Sequence, residues 1–302
     1  MPNIEKLTIT PATNCIDTHQ ITIAEQFYFS AVAPVQVKNS YNSIGQIDAS
    51  LHPSTLQLKL SVTQQALRYF VLSASHQQVI FYGDYTLHHV ANSAELAERI
   101  EQLYNKDEVL QLNYGSVLVA FDEKYTLVPA EFTFMIDRNT QLSQTCGTTE
   151  IVYECPEVVL QTIKKLFRNA QPAHLASTYY HQLKNYLHDN NDQLFVNVGA
   201  GYLDIIRFDT NGQLHIMNRY NYQSATDLIY FVLLCCDELQ LDRETTSLVL
   251  LGEVTTGSQI YDLCYRYFRN LSFIHEPEGV QFSNEFAVFP RHLHFNLYNL
   301  SI

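Results

Sequence analysis

The chain is short of cations: 18 lysines and arginines face 31 aspartates and glutamates, for a net charge of −13. Nucleic-acid affinity rests largely on cations that neutralise phosphates, so this balance opposes a polyanionic partner. The one compact basic patch, Lys164, Lys165 and Arg168, falls in a helical pattern and reads as a solvated face. Long hydrophobic runs are missing too; the longest, "LIYFVLLCC" from Leu228 to Cys236, is too short to span a bilayer. No positively charged start followed by an apolar run marks the N-terminus, so a cytoplasmic protein without membrane insertion is expected. The six cysteines form no CxxC pair and no framework spacing, which favours reduced thiols over disulfides or a zinc site. GxSxG, kinase, P-loop and dinucleotide-binding patterns are absent. So is tryptophan, although 20 tyrosines and 17 phenylalanines supply aromatic surface for a core or a partner.

What the chain does have is apolar residues, 46% of 302, enough for one large core or two ordinary ones. Strand and helix patterns alternate, which predicts an α/β fold. The pattern also repeats. "LKLSVTQQALRYFVLSASHQQVIFYGDY" (58–85) lies over "LFVNVGAGYLDIIRFDTNGQLHIMNRYN" (194–221) without a gap, and Leu58, Val62, Leu67, Gln77 and Ile80 meet identical residues. Each copy reads as a three-stranded meander. A helix and a further strand follow each time: Ser93 to Tyr104 then "SVLVAFD", and Ser224 to Leu239 then "SLVLLGE". A β-β-β-α-β order is therefore written twice.

The second of these helices carries Ser224 as a cap with Asp227 three residues on. Its apolar residues run nearly all round, which predicts burial between layers. "PEVVLQTIKKLFRNA" and "STYYHQLKNYL" read as amphipathic helices around an extended "PAHLA". Three regions result: an N-terminal extension (1–50) with an extra strand pair in "QITIAEQFYFSAVAPVQV" and a loop in "KNSYNSIGQIDAS", a first domain (51–190) and a second (191–302). The closing "RHLHFNLYNL" alternates polar and apolar residues, as a final strand or as a cover for the core.

The runs "YNYQSATDLIYFVLLCCDELQLD", "SLVLLGEVTTGSQIYDLCYRYFRNLSFI", "FPRHLHFNLYNL" and "LVPAEF" resemble an uncharacterised bacterial family whose structural relatives have the actin-like ATPase fold. The resemblance covers roughly residues 50–302. It implies two actin-like, ribonuclease H-like domains with a nucleotide cleft between them. In active relatives the first hairpin of each domain grips a phosphate with backbone N–H groups, and a carboxylate serves Mg²⁺ or water. Mapped onto this chain, the first hairpin offers Ser61 where the carboxylate is expected, then Thr63, Gln64 and Gln65. The second keeps Gly199 and Gly201 but has Asn197 for the carboxylate. Where relatives have a glycine pair beside adenosine, "LVLLGEVTTG" supplies Gly252 and then Glu253. Gly257 and Ser258 begin a helix there, with Ser258 read as its cap.

With these elements altered, a non-hydrolysing scaffold or adaptor with a protein partner is the expected role. No resident cofactor or metal is expected, and weak binding of ATP and Mg²⁺ is the most such a cleft allows. The alternative is a divergent ATPase or phosphotransferase in which Asp137, Asp204 or Glu253 replaces the missing carboxylate; it needs those groups to converge on Gly199 and Gly252 across an open cleft. A small-molecule sensor using the cleft without catalysis is a third reading. His292 and His294, on one face of the final strand, are read as tail histidines for want of a third ligand, and His181 and His188 are too far apart for one ion. Cys235 and Cys236 are read as inert core thiols.

Overall fold

The computed structural model describes residues 41–301 apart from 75–76, 188–191, 210 and 278. The expected strand pair in "QITIAEQFYFSAVAPVQV" lies outside them. The first sheet is built from β1 (Tyr41–Gly45), β2 (Leu56–Val62), β3 (Ala66–Ser73), β4 (Gln78–Thr86), β5 (Ser116–Phe121) and β9 (Ala170–His174), in the order β1-β4-β3-β2-β5-β9. The second contains β10 (Gln193–Val198), β11 (Tyr202–Phe208), β12 (Leu214–Asn221), β13 (Ser247–Gly252) and β14 (Asn270–Phe273), in the order β12-β11-β10-β13-β14. From β4 to β9 the first sheet has the same strand order and the same directions as the second: two antiparallel pairings, then two parallel ones. The central strands are buried on both faces: Leu58 and Leu60 in β2 are buried together with Lys59 and Ser61 between them, and Leu194, Phe195 and Val196 form an apolar run in β10.

The repeat holds in register through the first hairpin of each copy, where Val62 faces Leu67 as Val198 faces Leu203. It then slips by one. Both meanders carry a bulge at the same point, after Val71 and after Arg207, and there Val71 faces Phe81 while Arg207 faces Ile216. Phe81, not Ile80, is thus the counterpart of Ile216, and the gap-free overlay of the third strands is corrected. A one-residue slip exchanges the faces of every side chain beyond it, so two of the identities that suggested the repeat are not structural equivalents.

Helix α1 (Ser93–Lys106) starts where Asn92 accepts hydrogen bonds from the Ala94 and Glu95 N–H groups. α2 (Glu157–Leu166) and α3 (Ser177–Gln182) flank β9 as expected. α4 (Ala225–Glu238) opens with the expected capping box of Ser224 and Asp227, and α5 (Gln259–Tyr267) is capped by Ser258. The prediction that α4 is enclosed on all sides is corrected: Leu228, Ile229, Val232, Cys235 and Cys236 face the sheet, whereas Tyr230 is 58% exposed and Leu234 37%. The described cysteines are free, and burial pushes the Cys236 thiol up to about 11. A small antiparallel sheet of β6 (Tyr125–Pro129), β7 (Gln141–Cys146) and β8 (Thr149–Glu154) is inserted between β5 and α2, and "LVPAEF" lies on it. Among the described residues no helix is long and apolar enough to cross a membrane.

One segment departs from expectation, and the tail takes the second of its two expected forms, a cover for the core. Tyr41–Gly45, read as part of a loop, is the strand β1 along the edge of β4. The closing "RHLHFNLYNL" forms no strand: after β15 (Gln281–Phe282) has paired with β4, the chain turns through His294, at φ 54°, into a short helix α6 (Phe295–Tyr298). Phe295, Leu297, Tyr298 and Leu300 are buried, and Phe289 and Tyr298 meet Phe70 of the first sheet edge to face. The tail of the second half thereby completes the core of the first.

Candidate functional site

The turns of the two first hairpins, Thr63 to Ala66 and Gly199 to Tyr202, face each other across the junction of the sheets. Ser61, Thr63, Asn197, Gly199, Gly252 and Glu253 line one cavity there; Gly201, in the same turn, does not line it. The cavity measures only about 40 Å³. It opens into a shallow recess of about 260 Å³ bounded by Gln64, Gln65 and Ala200 of the turns and by Arg68, Asp122, Glu123 and Glu253.

Thr63, Gly199 and Gly252, three of the expected phosphate-binding residues, are already engaged within the chain. The Thr63 hydroxyl closes its own turn, accepting from the N–H groups of Gln65 and Ala66. The Gly199 N–H donates to the Tyr202 carbonyl at 2.8 Å, and the Gly199 carbonyl accepts from the Tyr222 hydroxyl at 2.8 Å. Glycine is required at 199 because a Cβ there would stand 2.1 Å from the Tyr202 ring. Gly252, at φ +80°, is required because a Cβ would meet the Val198 carbonyl at 2.2 Å, and its N–H donates to the His292 carbonyl of the tail. Both glycines serve close packing of protein on protein.

Asn197 faces Asp204 across the hairpin, and its Nδ2 lies 3.5 Å from Asp204 Oδ2. Asp204, fully buried, accepts from Arg219 Nε at 2.7 Å, from Arg219 Nη2 at 2.9 Å and from the Tyr179 hydroxyl at 2.8 Å. Arg219 also binds Asp122 Oδ1 at 2.8 Å and the carbonyls of Asp122 and Glu123, while the Tyr202 hydroxyl donates to Asp122 Oδ2. Its guanidinium stacks over the Tyr202 ring at 3.8 Å. Burial pushes the Asp122 carboxyl up to about 6 against the opposing pull of Arg219, with Asp204 raising it further. On the other side Arg68 lies 3.3 Å from both Asp84 and Glu253.

Asn197 is therefore the residue this site needs. An aspartate there would set a second buried carboxylate against Asp204 with no free cation. Asn197→Asp is expected to cost on the order of 2 kcal/mol and to create no Mg²⁺ site, checked by thermal melts with and without Mg²⁺.

The carboxylates of the ATPase reading do not converge. Asp137 lies in an exposed turn, where it accepts from Asn139 and Thr140, and lines neither cavity nor recess. Asp204 is committed to Arg219, and Glu253 to Arg68. Nor do the tail histidines share a strand: His292 Nε2 bonds to the Val254 carbonyl, and His294 stacks on Tyr82. Among the described residues no group of three histidines, cysteines or acids is placed to hold a metal; His188 lies outside them. Arg68, Asp122, Tyr202 and Arg219 were not singled out in the sequence. The available signal was an acid directly after the fourth strand of each copy, "VLVAFD" and "LVLLGE".

The sequence pattern of DUF3822, proteins of unknown function, matches residues 49–271. The chain belongs to this family. No curated protein matches it in sequence. Among solved structures this DUF3822 protein is similar to a Bacteroides thetaiotaomicron protein with an actin-like ATPase fold and unknown function, at a TM-score of 0.63 and 14% identity, covering 76% of this chain and 94% of that one. It is also similar to the PilM-PilN type IV pilus biogenesis complex, at 0.50 and 13% identity, covering 80% of this chain and 96% of that one. Such identities speak for the fold alone, and the fold is actin-like. Small-molecule sites usually occupy about 300–1,000 Å³. Here the inner cavity of about 40 Å³ admits little more than water, and the recess of about 260 Å³ lies just below that range, with Asp122, Glu123 and Glu253 beside Arg68 in its lining.

Proposed function

We propose that this protein is a non-hydrolysing member of the actin-like fold that works in the cytoplasm as a scaffold or adaptor for a protein partner. The observation that carries the reading is the cleft, in which the chain's own turns, its tail and the side chains of Arg68 and Tyr202 line a cavity of only about 40 Å³, and Gly199 and Gly252 bond to other parts of the chain. A fold kept while its cleft is filled retains a shape and its outer surfaces, which suits binding another protein. One structure similar to this chain is a complex of two proteins, the PilM-PilN type IV pilus biogenesis complex, which supports that use of the fold.

Calorimetric titration with ATP and ADP in Mg²⁺ tests the reading. Any binding is expected to be weaker than about 1 mM, close to −4 kcal/mol, with no phosphate released. Saturable micromolar binding of Mg·ATP with turnover would overturn it. A pull-down from native cytoplasm then identifies the partner.

A further inference from the structure

The ion pairs at the cleft repeat with the fold. In the first half Arg68 on β3 faces Asp84 on β4; in the second, Asp204 on β11 faces Arg219 on β12. Ser61 faces Arg68 as Asn197 faces Asp204, so the two pairs occupy equivalent places with their charges exchanged. Phe121 and Gly252 are likewise equivalent, standing opposite Val62 and Val198 at the ends of β5 and β13. The residues that follow them, Asp122 and Glu253, are the two acids that meet an arginine of the other half: Arg219 with Asp122 at 2.8 Å, Arg68 with Glu253 at 3.3 Å.

We propose that the Arg68–Glu253 and Arg219–Asp122 bridges are one clamp, written twice by the internal duplication, that holds the two halves of the fold shut without a ligand. Each arginine is oriented by an acid of its own sheet and reaches the acid at the end of the fourth strand of the other half. The exchange of charges between the copies leaves this rule intact. The two acids occupy equivalent places, and each meets an arginine drawn from the equivalent ion pair of the other half, which is more than a single fortuitous contact accounts for. The bridges differ in depth. Both partners of the inner one are 9% exposed, whereas Arg68 and Glu253 are 27% and 33% exposed. Water and salt reach the outer bridge and weaken it first, so opening proceeds from the Glu253 side and completes only when Asp122 also lets go.

The clamp rests on the reading of the cleft as filled by protein, which the nucleotide titration tests separately. Its own test is amide hydrogen exchange on the full chain carrying Asp122→Asn, Glu253→Gln or both. These changes leave the pairs within each sheet, Arg68–Asp84 and Arg219–Asp204, in place. Exchange at the two facing turns, Thr63 to Ala66 and Gly199 to Tyr202, is expected to stay within about twofold of the native protein in either single variant. In the double variant it is expected to rise at least about tenfold while the central strands stay protected. Exchange at the turns unchanged in the double variant, or effects of the singles that simply multiply, would overturn the clamp. A double variant that does not fold, or that exchanges faster in every strand alike, also overturns it, because the bridges would then be part of the core. A nucleotide found to bind while the turns open only in the double variant would remove the proposed function and leave the clamp standing.

Discussion

Replacing Arg219 with methionine is expected to destabilise the protein by about 3–5 kcal/mol, because removing one partner of a buried ion pair leaves charge without compensation. Asp204 is fully buried and Asp122 nearly so, and both depend on the same guanidinium, so the substitution strands two carboxylates at once. At roughly 2–4 °C per kcal/mol for a domain of this size, the midpoint of thermal unfolding falls by about 10 °C. Lysine is a poor replacement here. Arg219 grips Asp204 with two nitrogens, reaches Asp122 and two carbonyls, and stacks flat on Tyr202, a set of contacts that a single ammonium cannot reproduce.

The loss depends on pH in a direction that burial dictates. A carboxyl held above its ordinary value binds a proton more readily in the folded chain, so its contribution to stability is greatest at low pH and falls as pH rises through the folded value. For Asp122, with an ordinary value of 3.8 and a folded value of about 6, that window lies between about pH 4 and 6 in the native protein. Without the opposing pull of Arg219 the Asp122 carboxyl moves higher still. The deficit of Arg219→Met is therefore expected to be largest near pH 8 and to shrink towards pH 5, where protonation replaces the missing cation. Urea unfolding of both proteins across that range measures it; a deficit that grows on acidification would mean the carboxylates are compensated by some other group.

The parts of the fold legible in the sequence were those written locally. The alternation of Leu58 to Val62, the apolar run of Leu194 to Val196, the Ser224 and Ser258 caps and the amphipathic run before "PAHLA" each carry their signal within a few residues, and each forms the expected element. Tyr41–Gly45 carries none: "YNSIG" is polar, and it is a strand only because the edge of β4 is there to pair with. The tail left two readings open, a strand or a cover for the core, and it is the cover: its alternation comes from residues that enter the core singly from a turn and from α6. At the site the cleft residues were found through the resemblance, but not what occupies them. Arg219, Asp122 and Tyr179 come together over long sequence separations, and nothing near Asn197 states that its neighbour is a buried aspartate bonded to an arginine. The second copy held the missing clue. Overlaying the halves strand by strand, instead of without gaps, sets Arg68 and Asp84 against Asp204 and Arg219.

Removing the last residues, from Arg291 on, is expected to abolish folding and not to free a nucleotide site. The cut takes away Leu293, Phe295, Leu297, Tyr298 and Leu300, each 7% exposed or less. At about 2 kcal/mol for each buried side chain the loss is on the order of 10 kcal/mol, comparable with the whole stability of an ordinary protein. It also strands Lys59, whose buried ammonium donates to the Tyr298 carbonyl at 2.7 Å and which burial pushes down to about 8. A lid that closes over a working cleft leaves a folded protein when it is cut away, since lids are drawn from the least stable parts of a structure. A segment that supplies core to the first sheet and a hydrogen-bond acceptor to Gly252 cannot. Circular dichroism and a thermal melt of the truncated chain distinguish the two. A cooperative transition near that of the full chain, together with new binding of Mg·ATP, would identify the tail as a lid; loss of the transition identifies it as part of the core, and it is this second outcome that the packing of Tyr298 against Phe70 requires.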